Sequence, residues 1–304
     1  MHRLQSLMQR EWLQHRYGWL MMAAIPLALA LLLLGFGQVQ VEAGEMAAAG
    51  DALPALVAGA AIAGSMAVIF LVAAFSSLVI VSNLARRDHA DRSVEFWLSV
   101  PVSHSESFAV PLMVHLLLVP AAALLIGLLG GYVVSFLLVG RVVGTAAWFS
   151  LPWSVVVPAS LALTLRVLAG LPLAMLWLSP MILLVVLLTA WFRRWGWVIL
   201  VVGLGLGSAI LKFVFGQPWL NRLSSDLIRA AGRSLIHGDQ GGFVVDGASQ
   251  GVEALRLLPS WALADFGAAL QAMATPLLPA AVLFAAGCFY LLVQWRQRGA
   301  GGAG

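Results

Sequence analysis

The feature that most constrains this chain is a series of apolar runs, each long enough to cross a lipid bilayer as one helix. A helix needs about 20 consecutive apolar residues to cross the hydrocarbon core. Only 10% of the 304 residues are charged, whereas a soluble domain carries about 25%. We therefore predict an all-α polytopic membrane protein with a single transmembrane domain over residues 1–298.

Six membrane spans are predicted from the apolar runs. They cover about residues 17–36, 55–81, 108–139, 171–192, 196–215 and 276–292. Arginine pairs at 86–87 and 193–194 lie in short loops, which the positive-inside rule assigns to the inner side of the membrane. An even number of spans then predicts that both termini are cytoplasmic.

The N-terminal segment contains both charged and apolar residues. Residues 1–16 carry three arginines, and Leu4, Met8 and Trp12 recur at helical spacing. This pattern predicts an amphipathic elbow helix that lies on the inner membrane surface. A signal peptide is the alternative, but its apolar region usually has about 7–15 residues, and the run at 17–36 is longer.

Residues 142–165 form an uncharged run that is long enough to span but contains tryptophans and prolines. This composition favours a re-entrant or interfacial segment. A spanning run would also place the arginine pair at 193–194 outside, against the positive-inside rule. We therefore predict a non-spanning segment, with span four beginning at Leu171, and leave the choice between re-entrant, interfacial and spanning open.

The segment 216–275 separates the last two spans and is predicted to lie outside. Two amphipathic stretches, 218–235 and 257–273, flank a glycine-rich polar loop. They predict a cap of two interfacial helices, which either covers the spans or acts as a gate for a substrate. The glycine-rich tail at 299–304 is predicted to be disordered.

Catalytic and cofactor motifs are absent from the sequence. Lys212 is the only lysine, and its neighbours do not form the Gly-x4-Gly-Lys-Ser/Thr loop that binds ATP phosphates. There is no His-Glu-x2-His or Cys-x2-Cys pair, and nearby arginines disfavour a cation beside His89. The basic residues lie mostly beside the spans, so they do not indicate nucleic-acid binding. The sequence predicts no catalytic residue, no metal site and no cofactor in this chain.

Polar and small residues within the spans mark further candidate sites. We interpret His115 in span three as an interhelical hydrogen bonder, with a contact in the substrate path as the alternative. A proton relay would need a carboxylate at membrane depth, and none is evident. Gly203 and Gly207 form a Gly-x3-Gly pair that serves either a dimer interface or packing within the chain. Arg166 is expected to extend to the outer interface.

The densest polar stretch, 83–107, lies between spans two and three and must project into water. Asp91 can cap a short helix. Val94, Trp97 and Leu98 then share one helical face, and Pro101 discourages continuation. An aqueous helix with an aromatic anchor suits a groove on a partner protein; the alternative is a helix that lies on the lipid headgroups.

This stretch resembles the permease subunits of type-2 ABC exporters. The matching residues are Arg86-Arg87-Asp88 and then Asp91-Arg92-Ser93-Val94-Glu95-Phe96-Trp97-Leu98-Ser99-Val100-Pro101-Val102-Ser103. The layout is also similar to that family, with an N-terminal amphipathic helix, six spans and an outside segment before the last span. The family's turn often has Glu and Gly where Asp88 and Asp91 stand in this chain.

The resemblance implies a permease in the bacterial inner membrane that pairs with a second permease, as a homodimer. The pair would dock two ABC ATPase subunits, which hold the ATP and Mg²⁺. The docking residues would be Asp91, Arg92, Val94, Glu95, Phe96, Trp97 and Leu98. The cargo would be hydrophobic or amphipathic, such as a peptide antibiotic, a drug or a lipid-like molecule. The alternative is a non-transporting scaffold or sensor that recruits a cytoplasmic partner through the same loop.

Overall fold

The computed structural model describes residues 2–37, 50–85, 103, 105–238 and 251–301, whose regular secondary structure is all helical. Six of the helices in these ranges are long and apolar enough to cross a membrane. The prediction of an all-α membrane protein with six candidate spans is therefore confirmed.

The described residues form nine α-helices, counting 106–142 as one. They are α1 (His2–Phe36), α2 (Leu53–Ser82), α3 (Glu106–Val142), α4 (Thr145–Phe149), α5 (Trp153–Phe192), α6 (Gly196–Phe213), α7 (Trp219–Leu235), α8 (Gly251–Gln271) and α9 (Leu277–Gly301). Short 3-10 turns precede α2 and join α5 to α6. One π-helical turn, Val114–Leu118, interrupts the α-helical geometry of α3.

Helix α1 is continuous, so the structure has no break between the predicted elbow and the first span. The residues that α1 packs against the bundle also differ from the predicted apolar stripe. Leu7 and Glu11 are buried, while Met8 and Trp12 are exposed. The predicted stripe was based on apolar residues alone. Glu11 is buried because it makes a polar contact with α3, which is described below.

Helix α3 begins with a capping box, which the sequence analysis missed. The backbone N–H of Ser103 donates to Glu106 Oε2 (2.9 Å), and the backbone N–H of Glu106 donates to Ser103 Oγ (3.2 Å). Reciprocal bonds of this kind satisfy amide groups that a helix start leaves without partners. Ser103, the last of the residues that match the ABC permease pattern, therefore helps to start the third span.

Helix α5 is the central element, because α2, α6, α7, α8 and α9 all pack against it. It begins at Trp153 and has 40 residues, so it is about 60 Å long and exceeds the roughly 30 Å hydrocarbon core. The predicted start of span four at Leu171 is therefore wrong. Residues from 153 onward extend the same helix, and its internal prolines do not end it, as is tolerated in membrane helices.

The most extensive helix–helix contact is between α2 and α3, and glycines permit it. A Cβ atom at Gly127 would lie 2.7 Å from Met66 Cα, and one at Gly131 would lie 2.8 Å from Ile62 Cα. The two glycines are four residues apart, as in the Gly-x3-Gly pattern that lets membrane helices approach closely. The pair that the sequence analysis singled out, Gly203 and Gly207, is therefore not the one that packs these spans.

The substitution Gly131→Leu is expected to destabilise the protein by about 1–3 kcal/mol or more, because the new side chain would overlap the backbone of α2. Thermal unfolding in detergent measures this effect. Gly287→Leu, in α9, is the matched control, because a Cβ at Gly287 meets nothing within 4 Å in the described part of the chain. Equal stability of the two variants would contradict the packing described here.

Candidate functional site

A buried ion pair joins α5 to α8. Arg166 Nε donates to Asp265 Oδ2 (2.8 Å), and Arg166 Nη2 lies 2.7 Å from the same oxygen. Both side chains are fully buried. The sequence analysis expected Arg166 to extend to the outer interface, whereas its side chain is buried in the protein and paired with Asp265.

The same two side chains also hold the chain that leaves α7. Arg166 Nη1 donates to the carbonyl of Ser234 in the last turn of α7 (2.9 Å). Asp265 accepts the backbone N–H groups of His237 (3.0 Å) and Gly238 (2.8 Å). A positive group at a helix C-terminus and a carboxylate bound by amide donors are both favourable. We call Arg166, Asp265 and residues 234–238 the latch.

The latch requires a close approach between α5 and the end of α7, and Gly170 permits it. A Cβ atom at Gly170 would overlap the Ser234 carbonyl oxygen and lie 2.8 Å from Arg166 Nη1. Only a residue without a side chain fits in this position. The latch thus joins α5, the end of α7 and α8, whose residues are far apart in the chain.

Beside the latch lies a partly open apolar cavity of about 410 Å³. Helices α2 and α5 form two of its walls, and the chain after α7 together with α8 covers it. Its lining includes Met66, Val156, Ser160, Leu258 and Trp261. Nearly all of the lining is aliphatic or aromatic, so the cavity suits an alkyl chain or an apolar ring and not a charged solute.

Helices α7 and α8 occupy the segment that the sequence predicts as an outside cap. Leu227 and Ala231 of α7 pack against Ala174 and Trp177 of α5, beside the stretch predicted as span four. Helix α8 packs near the start of α5. The two helices therefore pack along the side of α5. This packing is possible because α5 begins well before the predicted start of span four.

A second buried polar cluster joins α1 to α3. His115 Nε2 lies 3.2 Å from Glu11 Oε2, and His15 Nε2 lies 3.9 Å from the same oxygen. Glu11 is 1% exposed and His115 is fully buried. The His115 ring also makes edge contacts with the rings of His15 and Trp19. His115 thus forms an interhelical hydrogen bond, with a carboxylate partner that the sequence analysis did not identify.

The outcome differs for the remaining predicted site residues. The docking residues Asp91, Arg92, Val94, Glu95, Phe96, Trp97 and Leu98 lie outside the described residues. A Cβ atom added at Gly203 would meet nothing within 4 Å, and one added at Gly207 would touch only Leu220 Cδ2, at 3.2 Å. Most of the large side chains of α6 are exposed. The face of α6 around Gly203 is therefore not used for packing among the described parts of this chain.

Comparison with protein-family models, with curated proteins and with solved structures finds no match.

Proposed function

We propose that this chain is the membrane-spanning permease subunit of an ATP-binding-cassette exporter. It couples ATP hydrolysis by a separate ATPase subunit to export of a hydrophobic or amphipathic molecule. The chain itself is not an enzyme, and the ATPase subunits carry ATP and Mg²⁺. Six helices suited to span a membrane, and the resemblance of residues 83–107 to the docking region of such permeases, support this proposal.

The observation that carries the proposal is the apolar cavity between α2, α5 and α8. It lies between these helices and the chain that follows α7, and its lining matches an alkyl or aromatic cargo. The latch holds its cover by hydrogen bonds and one ion pair. In the proposed mechanism, ATP binding biases the bundle between two arrangements that differ in access to this cavity.

The second permease is proposed to pack on α6. This helix presents Gly203 and an apolar, exposed face that includes Val201, Val202 and Leu206. Small residues on such a face allow close approach of a second helix in lipid. Gly203→Leu is accordingly expected to reduce the permease dimer in cross-linking experiments while the single chain keeps its thermal stability.

Filling the cavity is expected to abolish cargo binding. Ala63 lines the cavity, and Ala63→Trp would place an indole inside it. We expect the variant to lose binding of a fluorescent single-chain lipid analogue, measured by fluorescence anisotropy in detergent micelles that lack other lipids. Gly287→Trp is the control, because a Cβ at Gly287 meets nothing within 4 Å.

The outcomes of these experiments test the cargo site and the class of protein separately. Equal binding by Ala63→Trp and the wild type would show that the cavity is not the cargo site. ATP-dependent uptake of the analogue into inverted vesicles that contain the ATPase tests the exporter directly, because the cytoplasmic face of the membrane is then outside. Retained partner binding without any transport would favour a membrane scaffold or sensor that uses the loop 83–107.

A further inference from the structure

We propose that Glu11, His15 and His115 bind a zinc ion that clamps α1 to α3. This inference goes beyond the proposed function and does not depend on it. Glu11 and His15 are four residues apart and project from one face of α1. His115 approaches them from α3. The three ligand atoms, one from each residue, all lie within 4.8 Å of one another.

The distances are close to those of a zinc site. Zinc bonds of about 2.0–2.1 Å at tetrahedral angles separate neighbouring ligand atoms by about 3.3 Å. Glu11 Oε2 and His115 Nε2 are already 3.2 Å apart. His15 Nε2 is 3.9 Å from the same oxygen, and its side chain is 21% exposed. Since all three ligand atoms already lie within 4.8 Å of one another, a shift of about 1–2 Å in the His15 ring completes the three-ligand set.

The chemistry of the ligands also fits zinc. Two imidazoles and one carboxylate are ligands that zinc accepts, with a fourth position left for water. The Glu11 carboxylate is almost completely buried, and a charge in such a place is costly unless it is compensated. A bound divalent cation would supply positive charge at this carboxylate oxygen.

The backbone at His115 has unusual geometry. His115 lies in the π-helical turn of α3, and such turns occur frequently at functional sites. Among the described residues, His115 Nδ1 has no hydrogen-bond partner, so the ring is oriented through Nε2, the atom that faces Glu11. A metal bond at Nε2 would fix the ring more firmly than the hydrogen bond alone.

A clamp at this point would matter because α1 packs weakly elsewhere. Among its described side chains, only Leu7, Glu11 and Ala23 are buried. The cluster lies in the N-terminal half of α1, so a metal there joins that part of the helix to the third span. Since metal bound only by the folded protein stabilises it, zinc is expected to raise the temperature of unfolding.

Zinc binding to the purified full-length protein tests the proposal. Protein stripped with a chelator is dialysed against micromolar zinc chloride, and bound metal per chain is measured by atomic emission. Cobalt is then substituted, because its visible absorption reports a tetrahedral site with nitrogen and oxygen ligands. We expect one equivalent of zinc, a tetrahedral cobalt spectrum, and a rise in the unfolding temperature with either metal.

Three variants and one control identify the ligands. Glu11→Gln keeps a side chain that can hydrogen-bond His115 but removes the anionic ligand, and His115→Gln removes one imidazole. His15→Ala changes the partly exposed member and is the variant most certain to fold. Each is expected to weaken zinc binding roughly tenfold or more, whereas His237→Gln, at the latch, keeps it. Absence of bound zinc in the wild type, or unchanged binding in His15→Ala and Glu11→Gln, would overturn the proposal.

Discussion

Asp265→Ala is expected to lower the free energy of unfolding by about 3–5 kcal/mol, because removing one partner of a buried ion pair leaves an uncompensated charge. The variant leaves the Arg166 guanidinium buried without its carboxylate. It also removes the acceptor for the backbone N–H groups of His237 and Gly238. Thermal and denaturant-induced unfolding in detergent, followed by circular dichroism, measures the loss.

The control for this prediction is an exposed ion pair of the same type. Asp226 and Arg229 lie 2.8 Å apart on α7, with side chains 49% and 57% exposed. Asp226→Ala is expected to change stability by less than about 1 kcal/mol, because exposed pairs contribute little. The double variant Arg166→Met with Asp265→Leu should lose less than the two single changes together. Equal effects of Asp265→Ala and Asp226→Ala would contradict the latch.

Trp97→Asp combined with Leu98→Asp is expected to abolish stable binding of the ATPase subunit. Central aromatic and aliphatic anchors of an interface often contribute about 2 kcal/mol or more each, so losing two weakens binding about a thousandfold. Pull-down of the ATPase through this chain, with surface plasmon resonance for the affinity, measures the effect. These residues are outside the described part of the chain, so the prediction rests on the sequence.

The conservative pair Trp97→Phe and Leu98→Met is the matched control. It keeps an aromatic and an aliphatic side chain in the same places, and it should retain the ATPase and its stimulation. The unfolding temperature of both double variants should equal that of the wild type, since the loop is predicted to lie in water. Full ATPase binding by the Asp variant would show that docking uses other residues.

The number of candidate spans and their helical type could be predicted from the sequence, since apolar runs of about 20 residues have few alternatives in a membrane protein. Helix limits were harder. The run at 142–165 contains tryptophans and prolines that resemble an interfacial segment, yet its second half belongs to α5. Neither residue type ends a helix that neighbouring helices support, and contacts with α2 and α8 supply that support.

The polar sites could be predicted only in part. His115 was identified because a histidine in a span is rare, but its partner Glu11 was assigned to a surface helix. Asp265 was overlooked among the apolar residues of 257–273. Both acids had one detectable signal, which is that each is the only acidic residue in a long stretch, 1–41 and 257–304 respectively. Their pairing depends on packing between helices that are about 100 residues apart, which periodicity does not encode.

The glycine contacts show the same limit. Two Gly-x3-Gly pairs, Gly127/Gly131 and Gly203/Gly207, are equivalent as sequence patterns. Only the first brings two spans of this chain together, because α2 lies against it. Which pair meets a partner helix is decided by the arrangement of the whole bundle.

The measurement that tests the central proposal most directly is coexpression of this chain with the ABC ATPase encoded beside it, followed by purification through this chain alone. The proposal predicts a complex of two permeases and two ATPases that hydrolyses ATP and is inhibited by vanadate. A chain that purifies in mild detergent without any ATPase would contradict it, and the loop 83–107 would then be the binding site of another partner.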